Sequence, residues 1–371
     1  MIFSFLVLFF STHANAAKLP LDRLQLPQNF QISIYADKIE GARSMTLGPK
    51  DTVFVGTRGS DVYAVTDADG DHRAEKVQKV LVDLNMPNGV AWDGSSLYVA
   101  EVSKLWRLDG IEGFLVGGDK KKIKRSLVRE FPDKEHHGWK FIAFGPDGKI
   151  YVPVGAPCNV CLEKDPRFAS ITRMNKDGTD FEIFAQGIRN SVGFDWSPQG
   201  ELWFTDNGRD WLGDELPPCE LNRAPRAGLH FGFPFCHGGD FLDPEFGKGK
   251  KCSDFEAPAH RLGAHVAPLG MRFYRGNQFP KEYTGRIFVA EHGSWNRSKR
   301  AGYRVMMAQI KNNRVESYEP FISGWLGANE GVWGRPVDVL NLPDGSLLIS
   351  DDFAGVIYRV SYQPANPKSK P

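Results

Sequence analysis

No stretch of this chain is apolar for long enough to span a bilayer. Its longest apolar core, Ile2 to Phe10, covers about nine residues, where a crossing helix needs about 20. Stable membrane insertion is therefore not expected. Nor is there an excess of charge of either sign. Lys and Arg total 46 and Asp and Glu 45, so no bulk field draws nucleic acid or anionic lipid. An anionic ligand would have to be held by a local cluster of cations. No segment longer than about ten residues keeps a 3.6-residue apolar period, which leaves little room for helix. Cysteine is sparse, with five in 371 residues. Cys158-Asn-Val-Cys161 is followed by Leu162, where c-type haem attachment requires His.

What the chain does have is a repeated turn. Gly145-Pro-Asp-Gly148 runs into KIYVPVG, Ser197-Pro-Gln-Gly200 into ELWFTDNG, Pro343-Asp-Gly345 into SLLISDD, and Trp92-Asp-Gly94 into SSLYVAEV. Weaker copies stand at Gly48-Pro-Lys-Asp51 before TVFVGT and at Tyr283-Thr-Gly285 before RIFVAEHG. Each joins a tight turn, made by residues suited to its dihedrals, to an alternating apolar strand. Most steps are roughly 45 to 60 residues, and the longer step from 197 to 283 must carry an insertion. Turn and strand at this period mark the blade of a β-propeller. Six copies predict an all-β, six-bladed propeller taking the whole length as one domain, with 39 Gly and 24 Pro in keeping.

The ends fit this plan. Residues 1–16 read as a secretory signal peptide, with Ala14-Asn15-Ala16 as the cleavage pattern and no positive n-region. Residues 17–362 form the propeller, and 363–371 (QPANPKSKP) a flexible, polar tail. The strand FQISIYAD is expected to complete a blade with the C-terminal GVIYRVSY, closing the ring and removing its free edge. Export to the periplasm or the medium makes disulfides plausible. Cys236 and Cys252 bracket a Gly- and Lys-rich loop and read as a staple, with Cys219 left unpaired. The Cys158–Cys161 pair can close on itself, bind a metal or exchange thiols. The basic run Asp119 to Arg125 reads as a solvated hairpin between blades. Asp67-Ala-Asp69-Gly-Asp71 with Glu75 alternates carboxylates like a calcium loop, but lacks EF-hand spacing and reads as a β-turn.

Candidate chemistry sits at strand ends. His136-His137-Gly138 offers an imidazole with near-neutral pKa, suited to a general base. Arg189-Asn190 enters a strand where a cation needs an anionic partner. Asp206-Asn207-Gly208-Arg209-Asp210 combines backbone carbonyls and carboxylates, as calcium prefers. Glu291-His292-Gly293-Ser294-Trp295 and Gly334-Arg335-Pro336-Val337 occupy matching places in later repeats. His137, Arg189, Asn207, His292 and Arg335 are therefore expected to ring one mouth of the axis, and several cations in one cleft suit a polycarboxylate ligand.

From about Leu24 to Tyr362 the chain resembles the glucose/sorbosone dehydrogenase family, and within it the sorbosone dehydrogenase-like branch. The segments that carry the resemblance are HHGWKFIAFGPDGKIYVPVGAPCNVC, GIRNSVGFDW, ELWFTDNGRDWLGDELPPCELN, HFGFPFCHGG, VAEHGSWNRS and GRPVDVLNLPDGSLLISDD. The resemblance implies a six-bladed propeller using pyrroloquinoline quinone (PQQ) and Ca2+ to oxidise an aldose, a sorbosone-like aldehyde or a polyol. It implies His137 as the base that takes the hydroxyl proton while hydride passes to the quinone, and Arg189 beside Asn190 as the stabiliser of charge on the quinone oxygen. Calcium would lie on the backbone carbonyls of Gly208 and Arg209, with Asp214 near the site. Arg335 matches one of two arginines that clamp the cofactor carboxylates, and Val337 stands at the other. A family lysine has no counterpart near Glu291, where His292 and Trp295 lie instead. With no haem motif in the chain, electrons would leave to an external acceptor, a quinone or a cytochrome. Two other classes remain: a calcium-dependent lactonase-type hydrolase, which needs acidic and amide metal ligands on the axis, and a non-catalytic propeller that binds sugar or protein.

Overall fold

A computed structural model describes residues 19–364. The expected signal peptide and most of the expected tail lie outside the described residues. The chain forms six sheets of four or five strands, with a separate two-stranded hairpin. Blade one is built from Ala42–Leu47, Val53–Thr57, Val62–Thr66 and Lys76–Leu81, blade two from Gly89–Trp92, Leu97–Ala100, Lys104–Asp109 and Lys124–Glu130. Blade three holds Ala143–Phe144, Ile150–Val154, Ser170–Met174 and Glu182–Gln186, and blade four Phe194–Trp196, Leu202–Asp206, Pro218–Ala224 and His260–Ala264. Blade five runs through Pro268–Phe273, Ile287–Glu291, Arg304–Lys311 and Arg314–Ile322. Blade six takes Pro336–Asn341, Leu347–Asp351 and Val356–Tyr362 from the C-terminal end, and Phe30–Ala36 from the N-terminal end.

Each of the six turns read from the sequence joins the first strand of a blade to its second. Their chemistry repeats. Asp93, Asp147 and Asp344 each accept a backbone N–H two residues on, at 2.9, 3.1 and 2.9 Å, the Asx-turn bond. Gly94 and Gly148 follow with φ of +96° and +74°, a region glycine enters without steric penalty. Helix is as scarce as expected, the one α-helix among the described residues being Ile111–Leu115. One reading needs correction. The basic run lies inside blade two, as a short 3-10 turn at Lys120–Lys122 leading into the outer strand Lys124–Glu130, and not between blades. It is exposed there because outer strands face water on the rim. The carboxylates of Asp67, Asp69, Asp71 and Glu75 cap backbone N–H groups of the turn that joins the last two strands of blade one.

The ring closes as the repeat predicts. Phe30–Ala36 pairs antiparallel with Val356–Tyr362, from Phe30 opposite Tyr362 to Ala36 opposite Ile357, with one bulge. Phe30 sits edge-on to Phe279, Tyr283, Phe321 and Tyr362, with ring centroids 4.8 to 5.1 Å apart. The long repeat carries the expected insertion. Part of it, Leu229–His230, adds a parallel strand to the outer edge of blade three. Beyond that, Cys236–His237 pairs with Phe241–Leu242, and a Cys236–Cys252 disulfide ties the loop down. A second disulfide joins Cys158 to Cys161, and Cys219 is free and buried.

Phe30→Ala removes the central ring of this closure. It should lower unfolding stability by about 3–5 kcal/mol, as buried Phe truncations do, read by urea denaturation. A loss well below this range would mean that the ring is held closed elsewhere.

Candidate functional site

In a four-stranded antiparallel blade the second-to-third loop and the connection to the next blade emerge on one face, while the Pro-Asp-Gly turns lie on the other. The candidate residues all belong to the first kind. His137, Arg189, Asn190 and Arg335 lie in segments entering the innermost strands of blades three, four and six, while Asn207, Gly208, His292 and Trp295 follow second strands of blades four and five. They meet around one axial cavity of about 350 Å³. His137, Arg189, Asn190, Asn207, Gly208, His292, Trp295 and Arg335 all line it.

His137 is held by its Nδ1, 2.8 Å from the carbonyl oxygen of Ala156. A carbonyl only accepts, so Nδ1 carries the proton and Nε2 keeps its lone pair. Burial, reinforced by the charge of Arg189, pushes the imidazole pKa well below its ordinary value. His137 is therefore a neutral acceptor at pH 7, while His136 beside it is exposed.

Arg189 is 4 % exposed and almost fully committed. Its Nε donates to the backbone carbonyl of Asn159 at 2.8 Å, and Nη1 to that of Asn207 at 3.2 Å. Nη2 donates to Asn159 Oδ1 at 2.9 Å and to Asp210 Oδ2 at 3.2 Å. A guanidinium has five N–H bonds, so one hydrogen on Nη1 remains uncommitted. Asp206 fixes the local backbone, accepting N–H groups of Arg189 at 2.9 Å and Asn190 at 2.6 Å. The Asn190 side-chain amide makes no hydrogen bond within the described protein. Asp210 also lies 3.6 Å from His265 Nδ1. Burial alone would raise the Asp210 pKa, but His265 and Arg189 hold it low, and Asp210 in turn raises His265.

The opposite wall is built from arginines. Arg43, 2 % exposed, pairs with Asp352 at 2.9 Å, and Asp352 accepts His292 Nε2 at 2.7 Å. Burial leaves His292 neutral, its pKa lowered to about 4, while the His292 hydrogen bond and the Arg43 charge overcome burial to hold Asp352 well below the usual carboxylate range. Arg335 donates to the carbonyls of His292 and Gly293 at 3.1 and 2.9 Å and meets no carboxylate among the described residues. Arg58 is exposed to the cavity and has no ion-pair partner there either. Arg43 and Arg58 both stack on Trp139, at 5.1 and 5.4 Å.

Sequence reasoning missed Arg43 and Arg58, and Arg58 left a signal. It directly follows the second strand of its blade, as Asn207 and His292 follow theirs. Val337 is buried against Val192 and Leu269 and offers no cation to the cavity. Two expected residues are not in the cavity lining. Arg209 turns its guanidinium to Asp243 at 2.5 Å, where His237 also bonds. Asp214 caps Ser298 N at 3.0 Å, outside the cavity. At the mouth Trp295, 68 % exposed, meets Trp211 edge-on at 5.4 Å.

The residues present fit a polyanionic, planar quinone: an aromatic wall, two guanidiniums without carboxylates, and a neutral acceptor imidazole. The fit to calcium is narrower. Among the described residues Asp210 is the one carboxylate lining the cavity and is engaged by Arg189, leaving mainly amide and carbonyl oxygens such as that of Gly208.

Comparison with known proteins gives the same direction. The model of the Glucose / Sorbosone dehydrogenase family matches residues 118–359. An uncharacterized protein of Borreliella burgdorferi is 34 % identical over 364 residues, covering 92 % of this chain and 91 % of that one. A pyrroloquinoline quinone-dependent pyranose dehydrogenase of Coprinopsis cinerea is 21 % identical over 94 % of this chain, which spans 56 % of that protein's length. The holo PQQ domain of the Coprinopsis cinerea pyranose dehydrogenase superposes with a TM-score of 0.77 at 18 % identity, covering 91 % of this chain and 97 % of that one. A calcium structure of a Trichoderma reesei carbohydrate-active enzyme of family AA12 gives 0.80 at 18 % identity, covering 94 % and 100 %.

Asp352→Asn strands the buried Arg43 charge, which should destabilise the fold by about 3–5 kcal/mol. In the wild type the Asp352 contribution is present above its ordinary value of 3.8 and lost as pH falls toward the depressed folded value. Urea midpoints of both proteins at pH 7 and pH 3 should therefore differ more at pH 7. Equal midpoints at pH 7 would show that Asp352 does not hold Arg43.

Proposed function

The chain belongs to the glucose/sorbosone dehydrogenase family, and on that footing we propose that it is an exported PQQ-dependent dehydrogenase of aldoses, sorbosone-like aldehydes or polyols. One observation carries the reading. A neutral imidazole with a free Nε2 faces the same cavity as guanidiniums that have no carboxylate of their own. Cations left unpaired at a partly buried site call for an anionic ligand, and a base poised there calls for a proton to remove.

In this reading Arg58 and Arg335 hold the carboxylates of the quinone against Trp139. When bound, the quinone supplies two-electron acceptor chemistry that no side chain here provides. His137 Nε2 takes the hydroxyl proton of the substrate, and the remaining Nη1 hydrogen of Arg189 meets negative charge as it develops. Calcium is proposed on the carbonyls of Gly208 and Arg209, with cofactor oxygens completing its shell. Trp211 and Trp295 offer aromatic faces to a sugar entering the mouth. Electrons then leave to an external quinone or cytochrome. A lactonase would need several carboxylate and amide oxygens around an axial metal, and among the described residues the single carboxylate lining this cavity, Asp210, is paired with Arg189.

The test is reconstitution of the mature protein with PQQ and Ca2+, followed by quinone absorbance and dye reduction with a panel of aldoses and polyols. Saturable binding with turnover supports the reading. Absence of binding favours a propeller that only binds sugar or protein.

Two predictions follow the geometry. Arg58→Ala and Arg335→Ala should each weaken quinone binding by at least about tenfold, since hydrogen bonds to charged groups contribute about 1.5–3 kcal/mol, read by absorbance titration. An unchanged titration would remove these residues from the clamp. His137→Ala should abolish dye reduction while the quinone still binds. In the wild type the acid limb of kcat/KM should lie below the ordinary imidazole value of about 6.5, because His137 stays neutral until more acidic pH. A limb at or above that value would assign the base elsewhere.

A further inference from the structure

Arg189 owes its orientation largely to one residue outside the catalytic pair. Asn159 accepts its Nε–H through the backbone carbonyl and one Nη2 hydrogen through Oδ1, at 2.8 and 2.9 Å. Asn159 also grips Asp210, the carboxylate partner of Arg189. Its Oδ1 accepts the Asp210 N–H at 2.8 Å, and its Nδ2 donates to the Asp210 carbonyl at 3.1 Å. Asn159 stands in the second-to-third loop of blade three, between Cys158 and Cys161, whose disulfide closes a small ring within that loop. A residue in a covalently closed loop has few alternative conformations, so the acceptors it presents are fixed before any ligand arrives.

We propose that Asn159 is the positioning residue for Arg189. It takes two of the five guanidinium hydrogens and seats Asp210 against a third, so that the uncommitted Nη1 hydrogen points at the reacting centre rather than rotating away. This rests on the reading of Arg189 given above. A reacting geometry depends on such outer contacts, whose removal typically reduces activity about 10- to 100-fold.

The test uses the full mature protein in two forms. In the cofactor-free form, the guanidinium nitrogen resonances of Arg189 are observed by NMR and assigned by their loss in Arg189→Lys. The Nη resonances should be resolved in the wild type, average by rotation in Asn159→Ala, which keeps only the backbone acceptor of Nε–H, and stay resolved in Asn159→Asp, which keeps the Oδ1 acceptor of Nη2 and of the Asp210 N–H while losing the Nδ2 donor. In the PQQ-loaded form, Asn159→Ala should lower kcat about 10- to 100-fold with sugar KM and quinone titration unchanged, and Asn159→Asp should restore most of the loss. Resonances that remain resolved in Asn159→Ala would overturn the proposal. So would a rate loss that merely tracks a lowered folded fraction in thermal melts, or one that Asn159→Asp fails to restore. If the wild type neither binds the quinone nor turns over, the dehydrogenase reading falls, and the resonances alone still decide what Asn159 does.

Discussion

Antiparallel pairing in fours is the constraint from which the site follows. A chain that crosses a blade an even number of times returns to the face from which it entered. Every connection to the next blade therefore lies on the face that also carries the second-to-third loops. Residues as distant in sequence as Arg43 and Arg335 are thus delivered to one mouth. The closure by Phe30–Ala36 on Val356–Tyr362 holds this placement, because it ties the two ends of the chain into one blade. The loops then sit on a frame of inner strands that are buried almost throughout.

On this frame the electrostatics divide the cavity into two halves. On the side of blades three and four, cation and anion are matched: Arg189 with Asp210, and Asp210 with His265. Their groups are nearly saturated by fixed partners, which suits a role in which charge appears only briefly and the surroundings must not reorganise. On the side of blades one, five and six, Asp352 neutralises Arg43, while Arg58 and Arg335 have carbonyls or an aromatic ring in place of carboxylates. A ligand charge there would displace no carboxylate among the described residues. The neutrality of His137 belongs to the same arrangement. A partly buried imidazole beside Arg189 has its pKa pushed down and stays neutral, and so remains able to accept a proton.

Architecture was legible in the sequence because its determinants are local. Pro-Asp-Gly turns and alternating strands report themselves within ten residues, and so the six blades, the shared closing blade and the long fourth repeat could all be read. The axial residues His137, Arg189, Asn190, His292 and Arg335 were legible as motifs flanking those strands. Arg43 and Arg58 were not, since an arginine at a strand end has no local mark separating a cavity wall from a solvated rim. The spacing that places Arg58 like Asn207 appears only once strand ends are known. For Arg209 the expectation concerned the backbone carbonyl and for Asp214 a place near the site, and neither expectation says where the side chain goes. In the fold, Arg209 is captured by Asp243, more than thirty residues away, a partner set by the insertion and invisible to spacing.

That insertion also ties one half of the cavity to more of the chain than the other. It crosses from blade four to the outer edge of blade three through Leu229–His230, and its disulfide from Cys236 anchors the hairpin that carries His237. His237 and Arg209 then converge on the buried Asp243, fixing the chain one residue from Asp210. From the other direction the Cys158–Cys161 loop brings Asn159 to the same place. Arg189 is therefore held between two covalently closed loops, each belonging to a different blade. No comparable tie reaches Arg58 or Arg335, whose guanidiniums rest on carbonyls and on Trp139. On the proposed reading, the fold spends its rigidity where the bond is broken and leaves adaptable cations where the cofactor is merely held.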